Sequence, residues 1–160
     1  MLVGYTRVSK ADGSQTTDLQ HDALIAAGAD RVALPIDAAT PALYAQVKGH
    51  SIDRALALIR ECAARHPGHI STHLIAGLGE TEEDILRLAA EMISIGVTCG
   101  LFAFTPIPGT RMAHASPPTL DSYRRVQLGL WLLRPRPPAP TGDRTRETSR
   151  TEGRTDATAK

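Results

Sequence analysis

A few side chains in this sequence stand where their type could do chemistry, and their spacing limits what each can do. Ser9 closes the run Tyr5-Thr6-Arg7-Val8-Ser9, at the end of a β-prone segment. A serine hydroxyl is a poor nucleophile until it is activated. Charge building on phosphoryl oxygens also needs several fixed cations around it. On the tripeptide Arg7-Val8-Ser9 alone, a surface serine at a strand end is the ordinary reading. Cys62 and Cys99 are the two cysteines, far apart in the chain. They build neither a disulfide framework nor a zinc ribbon. Cys62 falls within an expected helix and Cys99 just before an expected strand, and each reads as a small buried apolar group. His66 and His69 lie across the Pro67-Gly68 turn without a neighbouring carboxylate. They read as surface residues rather than metal ligands, and no protein metal site is expected.

The elements that must position these groups alternate between strand and helix. "LVGYTRV" is β-prone. "TTDLQHDALIAAG" follows, with Leu19, Ala23, Leu24 and Ala27 at helical spacing and Gly28 suited to the position past a helix end. "RVALPID" is the next strand, ending at Asp37. Thr40 caps and Pro41 opens a short helix, "TPALYAQVKG". A longer helix, "SIDRALALIRECAARHPG", buries Ile52, Ala55, Leu56, Ile59 and Ala63. "HISTHLIAGLGE" is a strand running into a glycine turn. "TEEDILRLAAEMISIG" is a helix opened by a capping box of Thr81 and Asp84, with Ile85, Leu88, Ala89, Met92 and Ile95 on one face. "GLFAFTPIPGT" is a fourth strand with its exit loop, and "TLDSYRRVQLGLWLL" a last helix. Such alternation implies an α/β fold with parallel pairing through βαβ crossovers. The expected architecture is a partial parallel (β/α) barrel or an open parallel layer, since four strands cannot close an eight-stranded barrel.

Charge and composition bound the rest. The 160 residues suffice for one domain, and the net charge is +1. Seven basic and four acidic residues from Arg134 onward leave the body at −2. An acidic body with a basic tail is not the footprint of a dedicated DNA-binding domain. Residues 134–160 hold no Val, Ile, Leu, Met or aromatic residue, so a disordered, solvated tail is expected. No run of about 18 apolar residues is present, and two scattered cysteines suit a reduced cytoplasm. In a parallel βα fold the C-terminal ends of strands face the ligand site. That rule places Asp37, His73, Gly77, Glu80 and Thr105 near one rim.

Two resemblances add to this reading. "GYTRVSK" followed by "SQTTDLQHDALIAAG" resembles the start of the serine recombinases, the resolvase and invertase family, over residues 1–32. It implies Ser9 as the nucleophile that attacks a DNA phosphodiester, Arg7 as its phosphate ligand, and DNA as a partner. Thr6 departs from the small apolar residue usual there. The family's later Asp-Arg-Leu-Gly-Arg stretch, which supplies further cations, has no counterpart. From about Gly28 to Trp131 the chain resembles the C-terminal half of a radical SAM enzyme of the biotin- and lipoyl-synthase-like branch. The matching pieces are "GADRVALPIDAATPALYAQVKG", "HISTHLIAGLGETEEDILRL" and "GVTCGLFAFTPIPGTRM", in the family's order. That resemblance implies an adenosine rim for S-adenosylmethionine made by Asp37, His73, Ile75, Gly77 and Glu80, with His73 standing where a glycine is usual. It also implies a [4Fe–4S] cluster, whose C-x₃-C-x₂-C ligands are absent here. "GLGET" before a helix is equally a plain strand–turn–helix capped by Thr81.

Together the resemblances imply three segments: a recombinase-like βα unit over 1–32, a radical-SAM-like half barrel over 33–133, and a basic tail over 134–160. Each family loses its indispensable part near the same seam. The expectation is therefore a hybrid, truncated chain that keeps part of an S-adenosylmethionine-binding rim without full catalysis. The alternative is DNA strand cleavage through Ser9. The basic tail offers a second, weaker route to DNA.

Overall fold

The structure, a computed structural model, describes residues 3–5 and 17–135, with side chains from Asp22 onward. Arg7 and Ser9 lie outside the described residues, as does the tail from residue 136. Among the described residues four strands and five helices follow in this order: β1 (Val3–Tyr5), α1 (Thr17–Ala26), β2 (Arg31–Ala33), α2 (Pro41–Lys48), α3 (Asp53–Arg65), β3 (Ile70–Ala76), α4 (Glu82–Ser94), β4 (Thr98–Ala103) and α5 (Leu120–Leu133).

Capping chemistry sets the helix starts. The Thr40 hydroxyl accepts from Leu43 N–H at 3.3 Å, and Pro41 fills the first turn, where a missing N–H costs nothing. At α4 the Thr81 hydroxyl accepts from Asp84 N–H at 3.1 Å while the Asp84 carboxylate accepts from Thr81 N–H at 3.0 Å. This is the reciprocal capping box. Gly49 ends α2 at φ +82, a conformation that costs an L-residue about 1–2 kcal/mol.

The strands form one open parallel sheet in the order β1-β2-β3-β4. Sequential order with right-handed crossovers sends the connecting helices to one face. The burial of β3 agrees: Ile70, Thr72, Leu74 and Ala76 are buried, while Ser71, His73 and Ile75 on the other face are only half-buried. The buried set joins Ile36, Ile59, Cys62, Ile85, Ala89, Met92, Val126 and Leu130 in one core. No helix among the described residues is long and apolar enough to cross a membrane.

Three expected details differ. β4 begins at Thr98, so Cys99 lies inside the strand rather than before it. Gly100 does not break the strand, because its missing side chain makes room for His73 across the sheet: a Cβ there would sit 3.3 Å from His73 Cδ2. Ile95 falls past the end of α4 and is 37% exposed. In α1 the side facing the core is Leu24 and Ile25, whereas Ala23 and Ala27 are exposed.

Candidate functional site

The C-terminal end of β2 is where the sheet departs from regularity. Leu34 N–H donates to Ser71 O, but the next ladder bond runs from Asp37 N–H to His73 O, both at 2.8 Å. Three residues on the β2 side thus span two on β3, which is a β-bulge. Pro35 lies inside it and has no N–H to give. Two backbone groups are stranded by the bulge, and the fully buried Thr72 hydroxyl serves both. It donates to Leu34 O at 2.8 Å and accepts from Ile36 N–H at 3.2 Å.

The bulge delivers Asp37 to the sheet rim in a left-handed conformation, φ +67, which no other non-glycine among the described residues adopts. Asp tolerates this region better than most residues. Its backbone is locked on both sides, since Asp37 O also accepts from Ile75 N–H at 2.8 Å. Its carboxylate pairs with Lys48 Nζ from the last turn of α2. His73 and Ile75 stand on the half-buried face of β3. The His73 ring meets Phe102 of β4 edge-on, centroids 5.0 Å apart. Phe102 itself is 52% exposed, a large aromatic face left to solvent.

The glycine turn after β3 is held from within. Glu80 accepts from Gly77 N–H at 2.6 Å and from Leu78 N–H at 3.0 Å, so its carboxylate closes the loop. Gly77 has φ +100, and a Cβ on it would meet Pro118 Cδ at 2.6 Å and Pro118 N at 2.9 Å. The space beside this glycine is filled by a proline ring. A cavity of about 240 Å³ lies on the same side, lined by Gly77, Glu80, Glu82, Pro118 and Ser122 among others. Thr105 stands apart, exposed on the loop after β4.

The five rim residues expected from sequence thus form two groups. Asp37, His73 and Ile75 are joined through backbone bonds between the β2 end and β3. Gly77 and Glu80 are joined within the turn. Lys48, Thr72 and Phe102 belong to the same region and escaped the sequence reading. Only Lys48 left a local signal, a cation in the last turn of the helix that follows Asp37; the strand expected to end at Asp37 stops at Ala33, and Asp37 makes an isolated bridge to Leu74.

His66 does have a carboxylate beside it. Its Nε2 lies 2.7 Å from Asp22 Oδ1 of α1, and Arg65 pairs with the same carboxylate. The hydrogen bond from His66, then Arg65, holds the Asp22 carboxyl below its ordinary value. This cluster sits before β3 begins, at the end of the layer opposite the rim.

The cysteines do not fit an iron–sulfur cluster. Three closely spaced thiolates are needed, whereas Cys62 and Cys99 are both buried in the core. Burial pushes the Cys99 thiol up to about 11, and its Sγ faces Ala89 O at 3.9 Å. No group of three His, Cys, Asp or Glu suited to a metal ion occurs among the described residues. The chain matches no protein-family model, and no curated protein matches it.

Proposed function

We propose that this chain is a partial (β/α) barrel of radical-SAM-like ancestry that binds the adenosine part of S-adenosylmethionine at its strand rim. It does so without the family's radical chemistry. The observation that carries this reading is the bulge that fixes Asp37 in a left-handed backbone just beyond the C-terminal end of β2. Strained residues concentrate where a ligand is held, and bulges re-aim side chains beside sites. The parallel strands in chain order supply the rim that such a barrel uses. Asp37 offers carboxylate acceptors for hydroxyl or amino groups. Ile75 and the exposed Phe102 ring, with His73 set edge-on to it, offer apolar and aromatic surface for a ring. Gly77 and Glu80 contribute by shaping the turn that borders it.

Calorimetric titration of the full chain with S-adenosylmethionine and S-adenosylhomocysteine tests the reading. Saturable binding to both is expected. Asp37→Asn, which keeps the left-handed backbone accessible, weakens it roughly tenfold through loss of a charge-assisted hydrogen bond. Absence of binding at millimolar ligand refutes the reading.

The alternative, cleavage of a DNA strand by Ser9 with Arg7 on the phosphate, draws its support from residues 5–20 of the sequence. It predicts a covalent protein–DNA adduct on supercoiled or nicked DNA that is lost in Ser9→Ala. No adduct on either substrate counts against it.

A further inference from the structure

A second cavity, of about 430 Å³, lies between the last turn of α2 and the loop that follows β4. It shares no residue with the adenosine rim. Val47, Phe104, Ile107 and Met112 make its walls, and Gln46 and Arg111 bring polar groups to it. A concave, mainly apolar space with a few converging polar groups is the usual form of a small-molecule site. At ~30 Å³ per water-sized group, the volume suits a ligand of roughly a dozen heavy atoms.

Three features separate this cavity from a chance surface groove. Its loop is tied down: Phe104 N–H donates to Ala76 O at 2.8 Å, and Thr110 Oγ1 donates to Ile107 O at 2.8 Å. Ile107 is 61% exposed although the loop is fixed, so a large apolar side chain lines the cavity without being buried in the core. Arg111 is the only charged residue lining the cavity and has no ion-pair partner among the described residues.

The charge pattern selects the ligand. One unpaired guanidinium, with no carboxylate in the lining, suits a single negative charge. Its planar fork matches a carboxylate through two parallel hydrogen bonds. Among the described residues a phosphate dianion finds no second free cation at this cavity, because Lys48 is already paired with Asp37. The α2 wall also comes from a helix C-terminus, whose dipole disfavours negative charge. An anionic head therefore belongs at Arg111 and an apolar body toward Val47. The side chains of Met112 and Phe104 accommodate such a body without demanding one shape. We propose that this cavity binds small aliphatic monocarboxylates, with Arg111 holding the carboxylate and Val47, Phe104, Ile107 and Met112 enclosing the chain.

The test is calorimetry on the full chain with octanoate, octanol and octyl phosphate, with amide shifts recorded in parallel to locate binding. The expected result is saturable octanoate binding about tenfold tighter than octanol, with shifts at Val47, Ile107 and Met112. Arg111→Gln lowers octanoate to the octanol level and leaves octanol unchanged, which also shows the variant to be folded. Arg111→Lys, with charge but no fork, falls between. Val47→Trp, which fills the apolar end, weakens both ligands. Equal binding of octanoate and octanol, or a preference that survives Arg111→Gln, overturns the proposal. Tighter binding of octyl phosphate than of octanoate overturns the carboxylate assignment. S-adenosylmethionine titrations run separately, so failure of either site leaves the other readable.

Discussion

Replacing Gly77 with alanine separates two roles that a glycine at a strand exit can have. It can leave a gap for a ligand, or it can let two parts of the chain touch. The structure argues for contact. Gly77 has φ +100, and its absent Cβ would lie 2.6 Å from Pro118 Cδ and 2.9 Å from Pro118 N. An L-residue with positive φ costs about 1–2 kcal/mol. Contact with a backbone nitrogen cannot be relieved by rotating a side chain, and overpacking of this kind costs about 1–3 kcal/mol more. Gly77→Ala is therefore expected to lose about 2–5 kcal/mol. Gly28→Ala isolates the first contribution: φ is +86, nothing lies within 4 Å of the added Cβ, and the loss is about 1–2 kcal/mol. Gly129→Ala isolates the second. Its Cβ would meet Leu86 Cδ2 at 2.6 Å, but that is the free end of a flexible side chain. The roughly 0.8–1 kcal/mol gained in helix propensity offsets the repacking, leaving a net change near zero. Urea unfolding at constant m measures all three as midpoint shifts. Gly77→Ala and Gly28→Ala losing the same amount within about 0.5 kcal/mol would refute the packing argument, since such a difference is at the limit of additivity.

Two further outcomes follow from single groups. Thr72→Val keeps the shape but strands Leu34 O and Ile36 N–H. At roughly 1–3 kcal/mol for each buried unpaired group, a loss of about 2–6 kcal/mol is expected, together with faster amide exchange at Ile36; a valine variant as stable as the native chain contradicts the role given to the hydroxyl. Arg125 beside Glu82, helped by Ser122, holds the Glu82 carboxyl at about 2. A depressed folded value means the contribution is complete above the ordinary 4.5 and is lost as pH falls toward 2. Thermal melts of Glu82→Gln should therefore converge on those of the native chain through that acid window and differ above it, and parallel profiles throughout would exclude the linkage.

The features open to sequence reasoning were those written locally. Thr40-Pro41 and Thr81 with Asp84 carry their helix starts within four residues, and both starts are observed. The alternation of β3 declares its buried face, and the cysteines sit in the core as apolar residues do. What escaped is non-local. Thr72 reads as an ordinary strand threonine until the register with β2 brings a proline and a bulge beside it. Gly77 reads as space for a ring, and that space is occupied by Pro118, 41 positions along the chain. Glu80 had a weaker sign, an acid three residues past the first glycine of a turn, near enough to reach back to its N–H groups. Asp22 reaches His66 from another helix altogether.

The order of strands in the sheet is the order of strands in the chain. Among the described residues no strand is inserted between two older neighbours, and none is passed over. Each strand–helix pair is laid beside the last like a course of masonry, so any two successive pairs meet at the same kind of joint. A gene encoding such a layer can gain, lose or exchange its outermost course by a single break between helix and strand, with the remaining courses keeping their neighbours. Architectures that thread a late strand into the centre of a sheet have no equivalent break point, because removing one strand there leaves two unmatched edges instead of one.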